Sequence, residues 1–199
     1  MDDIITLDYG SGGKKTSRLI EDMILPALNN PALGELGDGA IVPGAEKLVF
    51  STDSFVVDPL FFPGGDIGEL SVCGTVNDIS VCGGVPEYLS CSFIIEEGLP
   101  METLSRVVAS IKRACARAGV SVVTGDTKVV ERGRGDGLYI NTAGVGFLRW
   151  PGLTPKAIRP GDSVILSGTA GDHGTAVMLA RSGMMQGDIR SDCAPRNAL

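Results

Sequence analysis

The chain has 199 residues, 43% of them hydrophobic, with a net charge of −7 at pH 7, an isoelectric point near 4.7 and a mean hydropathy of +0.20. This acidic balance argues against nucleic acid or an anionic membrane as the main partner, since both need a basic face. No apolar run reaches the ~18 residues of a membrane-spanning helix, and the acidic opening "MDDIITLD" does not read as a secretory signal, so the expected location is the cytoplasm. Five cysteines (Cys73, Cys82, Cys91, Cys115, Cys193) form no CxxC pair and His173 is the single histidine, which argues against zinc. The thiols read as small buried hydrophobes of a reducing compartment.

In chain order, a glycine loop at residues 10–13 precedes an apolar-periodic run, Leu19, Ile20, Met23, Ile24, Ala27 and Leu28. The spacing predicts a short helix from Lys14 whose end Pro26 disturbs. Residues 48–57 are β-branched and apolar and predict a strand. In residues 68–84, Val72, Val76 and Ile79 fit a helical face that Gly83-Gly84 would end. Residues 86–95 predict a strand, and residues 100–119 the clearest helix, opened by Pro100 and stopped by Gly119. Residues 120–130 and 137–148 predict two further strands. The order β, α, β, α, β, β suggests an α+β domain (a mixed α/β fold) over residues 1–148. The proline-bearing residues 149–162 read as a linker. Residues 163–199 then start again as strand, glycine loop and helix, an incomplete second α/β domain.

The stretch "DYGSGGKKT" is not a P-loop, because Gly13-Lys14 is followed by Lys15 and the first glycine is misplaced. Its physical logic is similar. Gly10, Gly12 and Gly13 free backbone N–H groups to face an anion, the helix start adds partial positive charge, and Lys14 or Lys15 supplies a full one. The bland reading is a flexible arm with solvated lysines. Four aspartates, Asp38, Asp53, Asp78 and Asp126, each stand at the end of an apolar run. Separately each reads as a cap or turn former. Together they form a hard oxygen set suited to Mg²⁺ held jointly with phosphates. Lys128 falls on the same side of an extended strand as Asp126. His173, in a glycine turn before a helix, is as compatible with a loop hydrogen bond as with chemistry.

"DYGSGGKKTSRLI", "LGDGAIV", "GELSVCGTVNDISVCGG", "GVSVVTGDTKVV" and "SGTAGDHGTAVMLAR" closely resemble the HypE family of hydrogenase maturation factors, within the PurM-like (aminoimidazole ribonucleotide synthetase) superfamily. The resemblance implies ATP-dependent dehydration of a protein thiocarboxamide to a thiocyanate, the source of the cyano ligand of [NiFe]-hydrogenases. It implies a homodimer formed through the sheet, with ATP near the interface. HypF would be the carbamoyl donor, and a HypC–HypD complex the cyano acceptor. By the same resemblance Gly10, Ser11, Gly12, Gly13, Lys14, Thr52, Asn77 and Gly125 contact the nucleotide. Asp38, Asp53, Asp78 and Asp126 bind Mg²⁺, while Asp78 and Lys128 assist the reaction. Family members run on to a Pro-Arg-Ile-Cys tail whose cysteine carries the substrate group, whereas this sequence ends "SDCAPRNAL". That implies a chain short of its acceptor, so a non-catalytic dimerisation and docking module stands as the alternative, with another superfamily enzyme behind it.

Overall fold

A computed structural model describes residues 2–36, 39–183 and 188–199. After a 3₁₀ turn at Leu7–Gly10 come α1 (Lys14–Leu19), a π-type turn (Ile20–Ile24), α2 (Leu25–Leu28) and α3 (Pro31–Gly34). Pro26 does not end this run. A proline ring clashes with the carbonyl four residues back and leaves it without a donor; the wider π-type turn directly before absorbs the mismatch, and the helix continues to Leu28.

Next come β1 (Leu48–Phe55), a small hairpin of β2 (Phe61–Phe62) and β3 (Gly65–Asp66), α4 (Ile67–Val81) and β4 (Gly84–Glu96). Then follow α5 (Met101–Ala118), β5 (Ser121–Val130), β6 (Leu138–Leu148) and α6 (Asp172–Ser182). The four long strands pair in the order β1-β6-β4-β5. β6 is antiparallel to both its neighbours, and β5 is parallel to β4. A parallel pair needs a crossover, which α5 supplies before Gly119 turns the chain with φ +71°.

Period-2 alternation sorts the sheet into two faces. Leu89, Cys91, Phe93 and Ile95 of β4 and Leu138, Ile140 and Thr142 of β6 are buried towards α4 and α5. Each large aliphatic side chain so buried contributes about 1.5–3 kcal/mol. α4 approaches β6 closely because Gly144 lacks a side chain: a Cβ there would stand 2.6 Å from Ile79 Cδ1 and 2.8 Å from Leu89 Cδ2. Beneath the helix, the Thr75 hydroxyl meets that of Thr142 at 2.6 Å, and Thr142 Oγ1 donates to Ser71 O at 3.0 Å. Asp66 caps α4 by accepting from Gly68 and Glu69 N–H at 2.8 and 3.1 Å, and also accepts from Ser110 of α5, locking the two helices together. The other face of the sheet is open, with Phe50 68% and Ile94 43% exposed.

The strand expected at the start of residues 163–199 is not formed. Val164 is fully exposed and Ile165 88% exposed, with no strand beside them among the described residues. An extended segment without a neighbour to pair with has no ladder to hold it. The helix expected after it does form, as α6, and it packs against β2 with Ala176 and Val177 buried. Among the described residues no helix is long and apolar enough to cross a membrane.

Candidate functional site

The described site residues fall towards the two opposite edges of the sheet, with Asn77 and Asp78 on α4, which packs beside β1. At the β5 edge the glycine loop packs directly on the strand. A Cβ on Gly10 would stand 2.4 Å from Val129 N, so glycine at this position serves close contact first. Gly12 has φ +76°, and its N–H is engaged by Thr16 Oγ1 at 3.0 Å, which in turn donates to Tyr9 O at 2.8 Å. Ser11 Oγ donates to Asp8 O at 2.9 Å. Gly13 stands at the head of α1 without a side-chain cap.

The two lysines divide the roles that the sequence left open. Lys15 pairs with Asp2 at 2.8 Å and Asp8 at 3.7 Å, and its ammonium lies 5.4 Å from the Tyr9 ring centre. The Asp2 hydrogen bond holds its pKa above the ordinary lysine value. Lys14 is exposed and has no ion pair among the described residues. Between this loop, the helices that follow it and β5 lies a cavity of about 230 Å³, lined by Gly12, Thr16, Ile20, Phe93, Gly125 and Asp126 among others.

β5 is irregular where it lines the cavity. The register with β4 shifts between Leu89 and Ser90, leaving Val123 as the extra residue of a bulge. Two residues on, a Cβ on Gly125 would sit 2.1 Å from Cys91 O. Asp126 Oδ1 accepts from Thr127 N–H at 2.8 Å and from Lys128 Nζ at 2.7 Å. The Lys128 hydrogen bond is the main reason that the Asp126 carboxyl is held below the usual carboxylate range.

At the β1 edge, Asp53 Oδ1 accepts from Ser54 N–H at 2.8 Å, the same local turn as at Asp126. Ser51 Oγ donates to Asp78 Oδ2 at 3.3 Å. Ser51 and Asp53 share one face of β1, while Gly74 and Asp78 are one turn apart on α4. An atom in the Cβ position of Gly74 would lie 3.6 Å from Asp53 Oδ2. Both carboxylates therefore line one groove between β1 and α4, and no basic side chain is paired with either among the described residues. Thr52, on the open face, donates to Thr142 O at 3.1 Å.

Asp53, Asp78 and Asp126 do not converge on one point within one chain. Two strands separate β1 from β5, roughly 14 Å at the usual spacing, and Asp126 pairs across the open face (opposite Ser92) while Asp53 pairs opposite buried Thr142. Among the described residues no three His, Cys, Asp or Glu side chains gather as a metal cage. Asp38 lies outside the described residues. Asp53 and Asp78 still fit a hydrated Mg²⁺, which takes one or two carboxylates and completes its shell with water and phosphate. Asn77, expected at the nucleotide, is occupied by the chain itself: its Nδ2 donates to Ala194 O at 3.2 Å and its Oδ1 accepts from Arg196 N–H at 2.7 Å. His173 takes the loop role, its Nδ1 3.0 Å from Ser191 Oγ and its ring edge-on to Phe62.

Sequence reasoning missed Asn141. Its Nδ2 donates to Asp53 O and Ser54 Oγ, both at 3.0 Å, and fixes the β1 edge. An asparagine in the middle of an otherwise apolar strand was the available signal. Ser51 and Thr16, equally short polar residues, carried none.

Comparison with known proteins sharpens the picture. Residues 36–148 match the family model of the AIR synthase related protein, N-terminal domain. The carbamoyl dehydratase HypE of Escherichia coli (strain K12) is 49% identical over 201 residues, covering 96% of this chain and 59% of the relative. A crystal structure of hydrogenase maturation protein HypE in complex with ATP superposes with a TM-score of 0.94 at 50% identity, over 97% of this chain and 58% of that one. A HypE–HypF complex superposes with a TM-score of 0.74 at 48% identity, over 90% and 59%. The chain thus spans about three fifths of the length of the relatives it matches. It belongs to the AIR synthase related protein family, and HypE proteins are its relatives at close to half identity.

Proposed function

We propose that this chain is the nucleotide-binding part of a HypE-type carbamoyl dehydratase, in which ATP drives dehydration of a protein thiocarboxamide to a thiocyanate for [NiFe]-hydrogenase maturation. The observation that carries the reading is the glycine loop seated on β5, with Gly10, Gly12, Asp126 and Lys128 lining one cavity and Lys14 exposed at the head of the helix that follows the loop. The ATP-bound relative supports it. On this reading residues 1–148 form the ATP-binding and dimerisation domain, 149–162 a linker, and 163–199 the start of the second domain.

An amide oxygen is a poor leaving group, and ATP with Mg²⁺ supplies its conversion to a phosphate ester. Lys14 and Lys128 offset charge on the phosphates, and Asp53 and Asp78 hold the metal. Asp78, fixed by Ser51, is the carboxylate of this chain best placed to accept the remaining N–H proton as phosphate leaves. The open sheet face, with Phe50, Tyr88, Val145 and Phe147, suits a second copy of the chain. A two-fold dimer on that face is the arrangement that lets two distant edges share one nucleotide. HypF as carbamoyl donor is supported by the HypE–HypF relative, and a HypC–HypD acceptor follows from the same family reading.

The test is a thermal unfolding series with Mg-ATP, followed by phosphate release with a carbamoylated cysteine peptide supplied in trans. Saturation at 100 times Kd adds about 2.7 kcal/mol of stability, which raises the midpoint by several degrees. No shift with nucleotide sinks the reading. A shift without peptide-dependent phosphate release leaves the docking-module alternative.

A further inference from the structure

After α6 the chain returns across the first half of the molecule as a strap along α4 and α5. Ser191 N–H donates to Pro63 O at 2.8 Å, and Asn197 Nδ2 donates to Ala118 O, at the end of α5, at 2.8 Å. Between these two anchors the strap meets α4 through Asn77. The Asn77 amide donates to Ala194 O at 3.2 Å and accepts from Arg196 N–H at 2.7 Å, so both ends of one short side chain are held. An ionised aspartate of the same shape could make only the second bond, because it has no donor.

The next residue is Asp78. Around a helix of 3.6 residues per turn it projects about 100° from Asn77 on one side and about 60° from Thr75 on the other. Thr75 is tied to the sheet through Thr142 at 2.6 Å. Asp78 thus stands between a brace to the sheet and a brace to the strap. Its own side of the helix is lightly supported. Ser51 Oγ reaches it at 3.3 Å, and one turn back stands Gly74, where a Cβ would press on Phe55 Cε1 at 2.7 Å. The ends of α4 are fastened elsewhere, by the Asp66 cap at the start and at the finish by Gly83 O, which accepts from Arg149 and Trp150 N–H at 2.9 Å each. What the strap adds is control of how far the last turns of the helix roll about its axis. A roll of about 10° moves an atom ~5 Å from the axis by about 0.9 Å, and a misplacement of about 1 Å costs a reaction about 100-fold.

We propose that Asn77 is a positioning residue: by clamping residues 194–196 it fixes the roll of α4 and so sets the Asp78 carboxylate in the groove that it shares with Asp53. The inference rests on the reading that these two carboxylates hold the metal. In this role Asn77 touches neither metal nor phosphate and acts through the helix that it shares with Asp78. Groups that orient a metal ligand in this way change metal affinity by about 10–100-fold when they are removed. The site in the first half of the chain is thereby made to depend on a segment more than a hundred residues later.

The whole chain is compared with Asn77→Ala and with Asn197→Ala, which loosens the strap without altering α4. Carbon-detected NMR follows the Asp78 side-chain carboxyl, with Asp126 as the reference at the other edge, and electron paramagnetic resonance follows Mn²⁺ binding in the presence of ATP. In both variants the Asp78 signal should move while that of Asp126 stays. The result in Asn197→Ala is decisive, since that change is remote from Asp78 in sequence. Mn²⁺ affinity should fall about tenfold in Asn77→Ala, and by less but in the same direction in Asn197→Ala. A lowered unfolding midpoint with an unmoved Asp78 signal and unchanged Mn²⁺ affinity would make the strap a fastening only. Weaker binding of metal-free ATP to Asn77→Ala, with the Asp78 signal unmoved in Asn197→Ala, would put Asn77 on the nucleotide itself. Either result overturns the proposal. Unchanged Mn²⁺ binding in Asp53→Asn strikes the metal reading instead, and the Asp78 signal alone then decides whether the strap sets this carboxylate.

Discussion

The two edges of the sheet carry the same local device in opposite electrostatic settings. At Asp53 and again at Asp126 a carboxylate oxygen accepts the N–H of the next residue at 2.8 Å. At β5 the carboxylate is already joined to an ammonium, Lys128, at 2.7 Å. At β1 its neighbour across the groove is a second carboxylate, Asp78, which accepts from the Ser51 hydroxyl. On the proposed reading, an edge holding two acids, with no cation paired to them among the described residues, would suit a metal, and an edge with lysines and glycine amides would suit phosphate. The difference teaches that one motif type, acid beside small residue, acquires its role from what the next strand or helix brings to it.

The strongest way to break this comparison is at β1. Asp53→Asn or Asp78→Asn should reduce Mg-ATP-dependent turnover with a supplied acceptor peptide by about 100-fold or more, the scale of losing one electrostatic partner of a transition state. Each variant should keep its unfolding midpoint, because neither carboxylate is ion-paired among the described residues. Full activity in both would remove the metal role from this edge.

At β5 the larger effect is structural. Gly125→Ala places a methyl group 2.1 Å from the Cys91 carbonyl, backbone that cannot swing aside. Denaturant unfolding should show a loss of about 1–3 kcal/mol, the range for overpacking. An unchanged midpoint would mean that the bulge at Val123 yields freely.

Lys128→Ala sharpens the contrast more gently. It should weaken ATP binding about tenfold, as for one hydrogen bond to a charged group, measurable by calorimetry. It should also return the Asp126 carboxyl towards the ordinary value of 3.8. A carboxyl depressed by its partner stabilises the fold above the ordinary value, and that contribution is lost as pH falls through the depressed one. In the variant the loss at this position moves to higher pH. Because Asp126 and Lys128 are both largely exposed, the readout is an NMR titration of the carboxyl rather than the stability of the protein.

Much of the sheet was legible because its signals are local. The helix of residues 100–119 has a clean apolar stripe and a glycine stop, and the alternation in β4 and β6 matches their burial on one face. The site was legible as residue types but not as positions. Asp53, Asp78 and Asp126 look alike in sequence, and only strand order decides that the last is two strands away. The partners of Asn77 were illegible for a related reason, since Ala194 and Arg196 lie more than a hundred residues later. The failed strand near Val164 shows the converse. Its apolar, β-branched run carries real propensity, but pairing is a property of two segments, and periodicity reports on one.

The mildest test lies at the far end of the sheet, where Glu96 closes the turn between β5 and β6. Its carboxylate accepts from Gly133 N–H and, at 3.0 Å, from Gly137 N–H. These backbone donors, Gly133 first, hold its pKa below the ordinary 4.5. The stability they lend is present above the ordinary value and fades as pH falls through the lowered one. Glu96→Gln keeps the shape but removes the charge, so one amide must now be met by a poorer acceptor or by water. Hydrogen exchange at Gly133 and Gly137 should quicken about five- to tenfold, with the rest of β6 unchanged and nucleotide binding untouched. In the native chain the same loss of protection, taken relative to the intrinsic exchange rate at each pH, should appear on acidification alone. If the two amides stay equally slow in both experiments, the turn is held by its backbone conformation, and the carboxylate merely rests against it.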